Sequence, residues 1–381
     1  MPESLTPELI ELRDRTQTLV DELTALEADL PDDLDAPIPA EIAAQARERS
    51  QAAGLFGMTQ PAEFGGTTAG PLERPVARET VATGNLRLGR SVFGPGPGVL
   101  RAAEGSTRER FLEPVLRGDK QGSFAFTEPG DALKPTWAVR DGDDLLVTGR
   151  KAYISGGATA DFYSALINVE DGEQGPGGTA MLVIEAGTPG VSIDHSFVSM
   201  DGGGHVSMSF NEARVPVANV IGAIGEGMPR ALGNINDMRL GVAAECAGLS
   251  MWTTNYITEH LKAPHRSGTP LGEREGVRLR YADMRVETYA ARSMLYRSAR
   301  LRESGDDAIN EIAATKMFAA EAVGRHVDTA IQLAGGQALI VGHPLEQLYR
   351  RVRALRLGEG ASDLLRINIA RGVFEFDAGR L

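Results

Sequence analysis

Residues 332–371 read QLAGGQALIVGHPLEQLYRRVRALRLGEGASDLLRINIAR, and this stretch decides the fold. The Gly335–Gly336 pair ends one helical run, and Pro344 opens an Arg-rich helix. One acidic residue, Glu359, then stands between Gly358 and Gly360, and another helical pattern follows directly. Glycines on both sides let the backbone turn sharply and let a flat ligand come close. A carboxylate held in such a turn beside apolar helices is a candidate base. Burial raises its pKa towards neutrality, where proton transfer works best.

Working outward, the 381-residue chain is 42% hydrophobic and 24% charged, a globular balance with room for two or three domains. Its net charge of −13 argues against nucleic acid as a partner, because phosphate backbones need a basic face. Cys246 is the single cysteine, so an intrachain disulfide is impossible, and its apolar setting GVAAECAGL predicts a packed core residue. The six histidines are scattered, which predicts no metal site. The opening MPESLTPELIELRDRTQ is acidic and polar, unlike a signal or transit peptide. No run approaches the ~18 apolar residues of a membrane span. The expectation is a soluble, cytoplasmic chain.

The texture of the sequence divides it into three, an α+β arrangement. Residues 1–121 read as helical, with Leu9, Leu12, Leu19, Leu23 and Leu26 near helical spacing. A Pro- and Asp-rich loop over 31–39 leads to a helix over 40–53, then a loop over 54–66. Further helices fit 71–83 and 105–116, the latter with Ser106 as its N-cap. Residues 122–225 read as a β domain. Val206, Met208 and Phe210 alternate with serines, and Asp141–Asp144 marks a hairpin turn. Residues 226–381 return to helices, expected over 229–261, 273–303, 306–334, 344–355 and 362–374. Ile309, Ile312, Ala313, Met317 and Ala320 give one of them an apolar face.

Several short motifs in order resemble the acyl-CoA dehydrogenase family. They are Gln332 with Gly335 and Gly336, then Pro344, Glu346 and Arg350, then Glu359, Gly360 and Ala361. The spacing from Gln332 to Glu359 is similar to that of many members without a gap. The order of helices, β domain and helices extends the resemblance to nearly the whole chain. It implies an N-terminal helical domain, a β-barrel-like middle domain and a C-terminal four-helix bundle. It also implies FAD as cofactor and α,β-desaturation of an acyl thioester in lipid metabolism, the carrier being coenzyme A or an acyl carrier protein. Glu359 would be the base. Its backbone N–H would polarise the thioester carbonyl, a contribution on the order of 3 kcal/mol for such a donor. Electrons would pass to an electron-transferring flavoprotein.

The resemblance also implies site residues. FAFTEP (124–129) would lie along the flavin, with Phe126 and Thr127 donating to its pyrimidine edge. GRKAYISGG (149–157) would form an aromatic and hydroxylated wall, Tyr153 and Ser155 standing where Trp and Thr are usual. Core packing is the competing reading of Tyr153. Val215, Pro216, Gly222, Gly225 and Gly227 match an architectural segment, and His205 reads as structural. Asn236, Arg239 and Gly360 would meet the substrate, against an internal ion pair as the competing reading for Arg239. Arg266 would reach a cofactor pyrophosphate across a dimer interface, as would the segment carrying Gln332, Gly335 and Gly336. That implies a homodimer or homotetramer, with a heteromer as the alternative. The Arg350, Arg351, Arg353 and Arg356 run reads either as a solvated helix face or as a phosphate surface.

One departure bears on the cofactor. TEPGDALKPTW runs straight on where the family has a longer Gly/Ser loop that holds phosphate oxygens, and Ala361 replaces the usual Thr. The expectation is weaker FAD binding, unless Arg266, Lys134 or the arginine run compensates. Two other readings stay open. One is a flavin oxidase or monooxygenase on the same fold. The other is a weak-FAD or non-catalytic subunit of a heteromeric dehydrogenase.

Overall fold

Local chemistry explains where the first helix starts. Pro7 is pre-set for a first helical position, and the Thr6 hydroxyl accepts from the Leu9 amide at 3.4 Å, which starts α1 (Pro7–Glu27). Its leucines at 9, 12, 19, 23 and 26 are all buried, as the helical spacing predicts. The computed structural model describes residues 4–31, 37–173 and 175–377; most of the Pro- and Asp-rich loop, 32–36, lies outside them. Helices α2 (Ala40–Ala52) and α3 (Glu73–Ala82) follow. The helix expected over 105–116 is instead a composite. A short α4 (Gly105–Thr107), a π-helical turn (Arg108–Leu112) and α5 (Glu113–Arg117) run on from one another. Ser106 is not its N-cap: the helix has already begun at Gly105, so the flanking residue is Glu104, whose side chain makes no capping bond.

The chain forms two compact units. One comprises residues 1–59, 67–94 and 236–381, and the other 60–66 and 95–235. The second unit holds the strands β1 (Gly122–Ala125), β2 (Trp137–Asp141), β3 (Asp144–Ser155), β4 (Phe162–Val169), β5 (Gly178–Glu185), β6 (Val191–Val198) and β7 (Gly204–Pro216). They form one sheet in the order β1-β4-β2-β3-β7-β6, with β5 also on β4. Asp141 pairs with Asp144 across the expected hairpin. Val206, Met208 and Phe210 face a core with Leu145, Val147 and Ile154. The register of β3 against β7 slips between Lys151 and Ile154. Within that bulge Tyr153 adopts φ +57° and turns outward, 68% exposed.

In the first unit, α1 and α3 share a hydrophobic core with α6 (Gly227–Lys262) from residue 236 on, α7 (Glu275–Glu303), α8 (Ile309–Ala334) and α9 (Pro344–Leu355). Cys246 sits fully inside it, and burial pushes its thiol pKa up. The last helix is α10 (Ser362–Phe376). On α8 the expected apolar face is present through Ile312, Ala313 and Ala320, but Ile309, at the first position of the helix, is exposed.

Candidate active site

Glu359 lies in the turn between α9 and α10, with φ +56°, followed by Gly360 at φ +106°. A residue with a side chain strains at the first value, and the second favours glycine. A Cβ at 360 would also stand 3.1 Å from Leu365 Cδ2 and 3.3 Å from Arg239 Nη2. The turn is held by its two carbonyl oxygens. Arg239 on α6 donates its Nε–H to the Glu359 oxygen at 2.9 Å. Lys316 on α8 donates from Nζ to the Gly360 oxygen at 2.9 Å. Arg239 also donates from Nη1 to Asn236 Oδ1 at 3.0 Å, so Asn236 orients the guanidinium. The Glu359 and Gly360 amides make no hydrogen bond within the described chain, leaving two N–H donors for a ligand.

The electrostatics suit a base. Burial pushes the Glu359 carboxyl above the usual carboxylate range, while the Arg239 and Lys316 charges pull it back. Burial likewise lowers the Arg239 guanidinium and brings Lys316 down to about 8. The structure thus brings together Glu359, Gly360, Asn236 and Arg239 from the sequence-derived set. Arg239 binds the backbone of the base and makes no ion pair among the described residues.

Lys316 is a residue that sequence reading missed. Its signal was present: one lysine interrupts the apolar face Ile312–Lys316–Ala320 in EIAATKMFAAEA, and its side chain is buried. A second omission is Lys151, whose side chain is fully buried. It donates to the Phe126 carbonyl at 3.0 Å and pairs with Glu128, which also accepts from the Thr136 amide at 3.1 Å and hydroxyl at 3.0 Å. That network fixes the chain directly after β1.

In the second unit, Thr127 is exposed. Its carbonyl accepts from the Ala152 amide at 2.9 Å, while its own amide and hydroxyl donate to nothing in the described chain. Phe126 is half-buried and stacked against Phe124 at 5.8 Å. Tyr153 stands edge-on to Phe197 at 5.6 Å, and its exposure removes the core-packing reading. The Ser155 hydroxyl is 3.2 Å from His205 Nδ1, and His205 Nε2 is 3.2 Å from the Ser199 hydroxyl, so the histidine braces β3 and β7.

Several of the cations that could compensate for the shortened loop are already committed. Lys134 pairs with Glu170 at 2.6 Å and lies 3.8 Å over the Trp137 ring. Arg150 pairs with Asp131. Arg350 pairs with Glu346 at 2.8 Å, and Arg351 with Glu245 at 2.5 Å. Arg353 and Arg356 line a groove of about 390 Å³ between α8 and α9 that also carries Glu321 and Asp328, a mixed lining. Arg266, Gln332, Gly335 and Gly336 are exposed, and Arg266 makes no ion pair in the described chain. Among the described residues no helix is long and apolar enough to cross a membrane, and no three His, Cys, Asp or Glu residues gather as a metal site.

Residues 225–374 match the family of the acyl-CoA dehydrogenase C-terminal domain. An acryloyl-CoA reductase (NADH) of Anaerotignum propionicum is 29% identical over 336 residues, 84% of each chain. An acyl-CoA dehydrogenase of Bacillus subtilis is 27% identical over 330 residues, 84% of this chain and 86% of that one. The structure of butyryl-CoA dehydrogenase from Megasphaera elsdenii superposes with a TM-score of 0.79 at 22% identity, over 98% of this chain and 100% of the other. At that identity the superposition shows the shared fold: N-terminal helices, a curled middle sheet and a C-terminal bundle.

Proposed function

The chain belongs to the acyl-CoA dehydrogenase family and is an oxidoreductase of that type; from this premise we propose that it desaturates an acyl thioester between its α and β carbons, with Glu359 as the base. The observation that carries the reading is the Glu359 turn. Its carboxyl is raised by burial, its carbonyls are tied to Arg239 and Lys316, and its amides are left free. Protons next to a thioester carbonyl are weakly acidic. A base with a raised pKa matches them better than an ordinary carboxylate. The Glu359 amide N–H, unpaired within the chain, polarises the thioester oxygen and stabilises charge that develops as the α-proton leaves.

FAD is the cofactor that the second unit suits. Thr127 would hold the ring edge through its free amide and hydroxyl, with Phe126 beside it, and Tyr153 and Ser155 would wall it. FAD, when bound, supplies the acceptor for the β-hydrogen and its electron pair. Arg266 and the Gln332–Gly336 segment have exposed donors for phosphate oxygens and would serve a neighbouring copy in a homodimer or homotetramer. An electron-transferring flavoprotein is the proposed electron partner.

The test is anaerobic addition of a panel of acyl-CoA and acyl-carrier-protein thioesters to the FAD-loaded chain. Bleaching of the flavin band together with an enoyl product is expected with at least one member. Failure of every thioester to bleach a full flavin complement would sink the reading. A second reading, a flavin-poor subunit of a heteromer, is favoured by one observation: Lys134, in the shortened loop, and Arg150, which meets Asp131 there, already serve carboxylates.

A further inference from the structure

We infer that Lys316 is a positioning residue for the Glu359 base, acting through the Gly360 carbonyl; the inference rests on the reading of Glu359 given above. Three facts point to it. Lys316 is fully buried on the face of α8 that packs into the helical core, where an apolar residue would be the ordinary choice. Its Nζ reaches the Gly360 oxygen at 2.9 Å, across 44 residues of sequence. No ion pair explains it, since no carboxylate among the described residues lies within salt-bridge distance of Nζ. Burying a lysine without a partner carboxylate is costly, so its retention calls for a use.

The use is geometric. Glu359 at φ +56° is strained, while Gly360 takes its positive φ freely, and a strained turn persists only where its surroundings over-determine it. Arg239 holds the first carbonyl from α6 and Lys316 holds the second from α8. With both oxygens drawn inward to cations, the two amide N–H groups are left without partners in the chain, and both positive charges act on the Glu359 carboxyl. Removing Lys316 frees one end of the turn. It therefore alters the direction of both the amides and the carboxyl while leaving Asn236 and Arg239 in place. The groups facing the Lys316 ammonium are Cys246 and Arg239 on α6, Glu321 on its own helix, and Glu359. Of these, Glu359 is the carboxyl at the proposed reaction site.

The test compares Lys316→Met, Lys316→Gln and Glu359→Gln in the FAD-loaded chain. Misplacing a reacting group by about 1 Å costs up to roughly a hundredfold. Lys316→Met is expected to lower kcat by about ten- to a hundredfold with KM little changed. The acid limb of its pH profile should move upward, because Glu359 loses a neighbouring positive charge. Lys316→Gln keeps a donor but no charge, so it should recover part of kcat while retaining the shifted limb. An infrared titration of the Glu359 carboxyl stretch in the flavin-free chain, identified by its loss in Glu359→Gln, should show the same upward shift in Lys316→Met. If Glu359→Gln turns over normally, the base reading itself fails. If Glu359→Gln is inactive while Lys316→Met keeps its kcat, pH profile and carboxyl titration, the positioning inference alone is overturned. A chain that folds with neither lysine substitution also overturns it, because the residue would then serve the fold and not the turn.

Discussion

Arg239 and Glu359 stand 120 residues apart in sequence, and the Arg239 Nε–H meets the Glu359 carbonyl oxygen at 2.9 Å. The bond is to the backbone, so the carboxylate is not neutralised by direct pairing. Its pKa stays raised by burial, with Arg239 and Lys316 limiting the rise from a distance. An arginine pairing directly with the carboxylate would hold it below the usual range and make it a poorer base. The same guanidinium, bound to the backbone, orients the base while lowering its pKa only by charge from nearby.

Glu359→Gln keeps the shape of the turn and removes the base. Loss of a general base typically costs 10²–10⁴-fold. Desaturation is expected to fall by about that much in single-turnover assays, with flavin absorbance unchanged. Turnover within threefold of the parent chain would remove Glu359 from the role.

Much of this arrangement was legible in the sequence, and the reasons differ by residue. Glu359 was visible because glycines on both sides announce a special turn. Tyr153 was placed on a wall, but only the bulge between Lys151 and Ile154 shows why an aromatic side chain in a strand points outward. Lys316 and Lys151 were missed because helix and strand patterns record which face is buried, not which carbonyl a buried cation will meet. Ser106 failed as a cap for a related reason: a serine near a helix start is a common signal, yet the helix had already begun one residue earlier.

Lys316 carries a stability signature. Burial brings its pKa to about 8, against an ordinary value near 10.5. Between those values the unfolded chain binds more protons than the folded one, so stability rises with pH through that window. Below about pH 8 the full penalty is present, roughly 3–4 kcal/mol at ~1.4 kcal/mol per pKa unit. Lys316→Met removes this pH-dependent term, although the unmet Gly360 carbonyl offsets part of any gain at neutral pH. Urea melts from pH 7 to 11 should show the parent chain gaining stability relative to the variant as pH rises. Parallel curves for the two chains would contradict a depressed lysine pKa.

The segment after Gly335–Gly336 ends in Leu339, Ile340 and Val341, which are 67%, 65% and 78% exposed. Three consecutive exposed apolar residues at a loop tip suit burial against a second copy. Burying each contributes about 1.5–3 kcal/mol. The parent chain should sediment as a dimer or larger, and Ile340→Lys should shift it to smaller species at micromolar concentration. A parent chain that is monomeric yet fully flavin-loaded would count against a shared site.

The last prediction separates Arg266, which the resemblance places at the FAD pyrophosphate, from Lys134, named with it and the 350–356 arginines as able to compensate for the shortened loop. Lys134 is held by Glu170 and the Trp137 ring, so recruiting it to a phosphate would break both contacts. Arg266 is exposed and makes no ion pair in the described chain, so recruiting it costs only side-chain ordering. A charge-assisted hydrogen bond contributes roughly 1.5–3 kcal/mol, which corresponds to about ten- to a hundredfold in Kd or slightly more. Arg266→Ala should therefore weaken FAD binding by that factor, read by fluorescence titration of the apo chain. Lys134→Ala should leave the Kd within about threefold. In thermal melts, added FAD should raise the midpoint of the parent chain and of Lys134→Ala alike, and that of Arg266→Ala less at the same concentration. The reverse ranking, with Lys134 carrying the loss, would show that the loop after Pro129 rearranges around the cofactor and that its ion pairs give way on binding.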